Sequence, residues 1–121
     1  MKNHFHMILK SEEIELAIQS LKSYTAKQIL FELESDSQFS VLNLLNQRKA
    51  SYKKESEYQV WQEGYHPQEM SNNLILKQKI KYIHYNPVKK GYVETPEDWK
   101  YSSASYYALS EESDLKITKY D

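Results

Sequence analysis

Turn-forming residues are scarce in this chain: two glycines and three prolines occur in 121 residues. Glycine reaches positive φ without steric cost, and proline pre-sets φ for a turn. A chain short of both has few places to reverse sharply. That disfavours many short strands and favours long helices. A chain of this length removes roughly two-thirds of its unfolded surface from water on folding, so residues 1–121 read as a single domain.

Hydrophobic periodicity divides the chain. Asn3 to Leu9 alternates, with Phe5, Met7 and Leu9 on one face and His4, His6 and Ile8 on the other, which predicts a strand. Ser11 followed by Glu12 and Glu13 predicts a helix start, and Ile14, Ala17, Ile18 and Leu21 carry that helix to about Leu33. A second helix is expected over Val41 to Lys54 and a short strand over Tyr58 to Trp61. A third helix is expected over Asn72 to Asn86, ended by Pro87 and Gly91. Pro96-Glu97-Asp98-Trp99 reads as a turn or short helix.

Composition excludes several chemistries. With no cysteine there is no disulfide framework, no thiolate-bound zinc or iron–sulfur centre and no thiol nucleophile. This fits a reducing compartment, and the expected location is cytoplasmic. No apolar run approaches the ~20 residues of a membrane span. The net charge of -1 hides a marked asymmetry. Residues 72–93 contain Lys77, Lys79, Lys81, Lys89 and Lys90 and no acid, while Arg48, Lys49, Lys53 and Lys54 form a second basic group. Such blocks are either solvated faces or phosphate-binding surfaces.

Two constellations carry possible chemistry. His4 and His6, at i and i+2 of a strand, point to one face with Cα atoms roughly 6.5–7 Å apart, close enough for both rings to reach one divalent ion. In the third helix Leu76, Ile80 and Ile83 form the apolar seam, while Gln78, Tyr82 and Asn86 recur at steps of four on another face. Tyr82 is therefore either an exposed amphipathic tyrosine or a nucleophile. A phenol is protonated at neutral pH and needs help from nearby cations to attack. His84 and Tyr85 lie elsewhere around the helix.

Together these segments resemble a known family. Lys2-Asn3-His4-Phe5-His6-Met7-Ile8-Leu9 is similar to the His-hydrophobic-His strand of the HUH single-tyrosine transposases. Tyr82-Ile83-His84-Tyr85-Asn86-Pro87-Val88-Lys89-Lys90-Gly91 resembles their tyrosine helix and its exit. Trp61-Gln62-Glu63-Gly64-Tyr65-His66-Pro67 and the Pro96–Ala104 stretch resemble the group associated with repetitive extragenic palindromes.

The resemblance implies a ferredoxin-like α+β fold, helix-rich with a small antiparallel sheet. It implies Mg2+ or Mn2+, and cleavage of single-stranded or hairpin-flanking DNA through a 5′-phosphotyrosine intermediate. It also implies a homodimer. Position by position, Tyr82 matches the nucleophile, His4 and His6 match the metal-binding histidines, and Asn86 matches the third ligand. The nine basic residues named above are expected to hold the DNA backbone. Family members usually carry further strands and a helix ahead of the histidine strand. Here Met1 lies immediately before that strand, so the sheet is expected to be N-terminally incomplete, with a catalytically inactive DNA-binding remnant as the alternative.

Overall fold

The computed structural model describes residues 5–113 and 115–118. The chain forms two compact units, one of residues 9–66 and one of residues 67 onward together with 5–8.

In the first unit, α1 spans Ile14–Ser35 and α2 spans Phe39–Gln47. Ser11 Oγ accepts from the Glu13 amide at 3.1 Å just ahead of α1. Ala17, Ile18, Leu21, Thr25 and Ala26 are half-buried along one stripe of the helix, as the 3.6-residue period requires. The α1 exit is a Schellman turn. Ser37 sits at φ 55°, the Gln38 amide donates to the Leu33 carbonyl (2.8 Å) and the Ser37 amide donates to that of Glu34 (3.0 Å). The chain then enters α2, which packs on α1 through Leu42, the buried anchor of this unit at 4% exposure.

The loop after α2 is held by side chains. Asn46 Nδ2 donates to the Glu57 carbonyl (2.7 Å) and Lys49 Nζ to that of Ser56 (2.7 Å). Gln59 accepts from the Ala50 amide (2.8 Å) and donates to the Trp61 carbonyl (2.9 Å). Trp61 Nε1 donates to Thr25 Oγ1 (3.0 Å), and Lys22 Nζ reaches the carbonyls of Gln62 (3.0 Å) and Gly64 (3.1 Å). Lys53 pairs with Glu63 at 2.6 Å.

In the second unit, α3 spans Asn73–Lys89, a 3-10 turn covers Pro96–Asp98, and α4 spans Ala104–Leu109. The Asn72 side chain caps α3 by accepting from the Ile75 amide at 2.9 Å. The 3-10 turn packs against both helices, and Leu76, Pro87, Pro96 and Ala104 are buried among them. The helix passes through Pro87, contrary to the expectation that it stops there. The proline ring removes only the rung to the Ile83 carbonyl, the Lys90 amide still donates to Asn86 (3.1 Å), and Gly91 at φ 69° ends the helix.

The expected α+β fold is not what the chain adopts. Among the described residues there is no strand: the structure is helical, and the small antiparallel sheet is absent. Residues 5–11 carry no regular structure, because alternation makes a strand only where a neighbouring strand supplies a ladder. Residues 58–61 are not a strand either. The carbonyls of Ser56, Glu57, Trp61 and Gln62 are taken by the side chains of Lys49, Asn46, Gln59 and Lys22, which is the pairing a β-ladder would otherwise provide.

Candidate active site

Tyr82 lies in the middle of α3 and is 50% exposed, off the buried seam of Leu76. Three cationic or ionisable groups surround its ring. Lys79 Nζ lies 5.9 Å and Lys89 Nζ 5.6 Å from the ring centroid. The imidazole of His6 meets the ring edge-on, with centroids 6.4 Å apart and planes at 84°. The two lysines reach the same ring because steps of three and seven residues return to nearly the same side of an α-helix. Tyr85 is comparably exposed, at 43%, but among the described residues Lys81 alone stands over its ring, at 5.9 Å. Neighbourhood, rather than accessibility, distinguishes the two tyrosines.

Asn86 follows Tyr82 by one turn and is buried, at 8% exposure, with its amide nitrogen unpartnered. A buried amide donor without a partner costs about 1–3 kcal/mol. Rotating the amide about its Cβ–Cγ bond exchanges a donor for an oxygen acceptor at that position. Among the described residues no three His, Cys, Asp or Glu side chains gather to hold a metal; imidazole and amide are donor types that suit a divalent ion of intermediate hardness. His4 lies outside the described residues.

His84 faces away from this group. Its Nε2 lies 2.8 Å from Ser103 Oγ, just ahead of α4, and its ring lies 5.5 Å from that of Tyr107 at 59°. Burial pushes the imidazole pKa down, partly opposed by the carboxylate of Glu97. His84 therefore links α3 to α4. Nothing in the local sequence signals Ser103 as its partner, since the two are 19 positions apart. The lysine pair over Tyr82, by contrast, was there to be found in the i−3 and i+7 spacing.

The basic residues separate into two groups. Lys77, Lys81 and Lys90 are exposed on or just beyond α3, with Lys79 and Lys89 at Tyr82. In the other unit Lys49 and Lys53 are engaged with Ser56 and Glu63, Arg48 ends α2, and Lys54 is exposed. The Glu63 contact raises the Lys53 pKa and lowers that of Glu63. Among the described residues no helix is long and apolar enough to cross a membrane.

No protein-family model matches the chain, and no solved structure matches it. Among curated proteins it is similar to a Haemophilus influenzae protein that bears the name of a REP-associated tyrosine transposase. The two are 29% identical over 107 residues, which is 85% of this chain and 54% of that protein. The chain thus spans about half the length of the relative it matches.

Proposed function

We propose that this chain is a transposase domain that cleaves and rejoins single-stranded or hairpin-flanking DNA, with Tyr82 as nucleophile. The observation that carries the reading is the convergence of His6, Lys79 and Lys89 on one exposed tyrosine ring. The likeness to a protein bearing a tyrosine-transposase name supports it. In the reaction the Tyr82 oxygen attacks the scissile phosphorus as its proton leaves. The bond from phosphorus to the 3′-oxygen breaks, and that oxygen takes up a proton to become a free 3′-OH. The 5′-phosphate stays on the tyrosine until a 3′-OH attacks it and reverses the step.

The HUH assignment is part of the same proposal. His4, His6 and Asn86 would hold Mg2+ or Mn2+. When bound, the ion supplies Lewis-acid polarisation of the phosphate oxygens. Lys79 and Lys89 offset the negative charge of the phosphate brought to the phenol. Lys77, Lys81 and Lys90 extend the contact to neighbouring phosphates, and two copies of the chain act as a homodimer.

The test is covalent capture. Incubation with single-stranded oligonucleotides and Mn2+ is expected to give a protein–DNA adduct that withstands denaturation and maps to Tyr82. An adduct that survives Tyr82→Phe sinks the assignment. A second reading, a DNA-binding remnant without cleavage, is favoured by one observation: residues 5–8 lie in no strand among the described residues. Salt-sensitive binding to single strands with no adduct under any metal condition supports that reading over the first.

A further inference from the structure

Beyond α3 lies a second aromatic cluster that the chemistry at Tyr82 does not use. The Gly91 reversal ends with the Tyr92 amide donating to the Pro87 carbonyl at 2.9 Å. Tyr92 then stacks on Trp99, with centroids 5.8 Å apart and planes within 24°. Trp99 closes the 3-10 turn, which is rigidly built: Asp98 Oδ2 accepts from both the amide and the hydroxyl of Thr95, each at 3.0 Å. Tyr101 stands edge-on to Trp99, with centroids 6.4 Å apart and planes at 80°. It is 83% exposed, and Lys100 Nζ lies 5.8 Å from its ring.

Packing does not account for Tyr101, because a ring this exposed buries little apolar area. A rigidly seated aromatic pair with an exposed third ring and an ammonium over it has the chemistry of a nucleobase platform. Every base presents a π-face, and single strands are held by aromatic rings flanked by cations. The charge nearby is compatible. Glu94, Glu97 and Asp98 are matched by Lys89, Lys90 and Lys100, so the patch is not acidic, and the cation over the exposed ring is Lys100. From Tyr82 to Lys90 is about 12 Å along the helix axis, a span of a few nucleotides.

We infer that Tyr101, with Trp99 behind it and Lys100 over it, is a stacking platform for a base of single-stranded DNA that runs along α3. The inference rests on the reading of α3 as the element that presents DNA to Tyr82. It adds a contact to bases where the lysines contact phosphates.

The test uses the full chain carrying Trp61→Phe, which leaves Trp99 as the sole indole. Oligothymidylate is expected to quench Trp99 fluorescence, while an abasic oligonucleotide of equal length and charge quenches far less. Tyr101→Ala is expected to weaken oligothymidylate binding about tenfold with the salt slope unchanged, and Tyr101→Trp to restore it. Equal binding to the base-bearing and abasic strands, or wild-type affinity in Tyr101→Ala, overturns the inference. Far-ultraviolet circular dichroism of Tyr101→Ala checks that α3 is intact. Covalent attachment is scored separately. Its absence alongside a preference for base-bearing strands refutes cleavage and keeps the platform, whereas an adduct without that preference keeps cleavage and refutes the platform.

Discussion

Lys89 stands two helical turns beyond Tyr82 and holds its ammonium 5.6 Å from the centre of that phenol ring. With Lys79 at 5.9 Å, the tyrosine sits between two positive charges carried by its own helix. Any phosphate approaching the phenol meets both. Lys79→Gln and Lys89→Gln are each expected to reduce the slope of log K against log salt for single-stranded DNA by about 0.7. Titration of binding at four or more salt concentrations reads this directly, and an unchanged slope removes that lysine from the interface.

Tyr82→Phe is expected to eliminate the covalent DNA adduct while leaving single-strand affinity within about twofold, since a phenyl ring keeps the contacts to both ammonium groups. Tyr85→Phe is expected to leave the adduct intact. Denaturing gel shifts with labelled oligonucleotides separate the outcomes.

Acidification is expected to weaken the α3–α4 unit through His84. Burial lowers its folded pKa below the ordinary histidine value of 6.5. The unfolded chain therefore binds more protons as pH falls through 6.5, and stability rises with pH across that window. The contribution is present above pH 6.5 and is lost as pH falls through the folded pKa. Glu63, lowered by Lys53 from 4.5, acts in the same direction at lower pH. Thermal melts from pH 7.5 to 5 are expected to show a smaller acid loss for His84→Gln than for the wild-type chain.

The α3 exit is also a Schellman turn, with the Gly91 amide donating to the Val88 carbonyl (2.8 Å) and the Tyr92 amide to that of Pro87, so it and the Ser37 turn make a matched pair of tests. Gly91 has open space where a Cβ would lie, so Gly91→Ala meets only the strain of φ 69° and is expected to cost about 1 kcal/mol. Ser37 already bears comparable strain at φ 55°. Ser37→Gly is expected to stabilise by less than about 1 kcal/mol, because relief of that strain is partly offset by unfolded-state entropy. Urea unfolding midpoints at equal m check both.

Leu42→Ala is expected to destabilise by about 2–4 kcal/mol. Leu42 is the buried apolar anchor of α2 on α1, and with so small a core the surrounding residues have little to collapse with.

The positions of α1 and α3 were legible in the sequence because their signals are local, whereas α2, expected over Val41 to Lys54, spans Phe39–Gln47. The start of α3 was expected at Asn72, which proves to be its cap, and the apolar seam through Leu76 fixed its inward face. The sheet was misread because the alternation from Phe5 to Leu9 describes one strand's side chains and says nothing about a partner ladder. The second strand failed for a different reason. Gln59 and Asn46 claim backbone groups eleven or fewer positions away, and polar side chains of that kind look, in sequence, like ordinary surface. At Tyr82 the lysine spacing was readable from the helix period, while the approach of His6, from 76 positions upstream, depends on tertiary structure.

The loop between α2 and residue 66 has a consequence for how the chain tolerates sequence drift. A β-ladder is indifferent to side-chain identity, since every residue except proline brings the same donor and acceptor. Here the shape of the loop is encoded in particular side chains: Lys22, Asn46, Lys49, Gln59 and Trp61. Neutral substitution can erode each latch separately. This loop is therefore expected to lose its conformation through scattered single changes that a strand pair of equal length would absorb unnoticed.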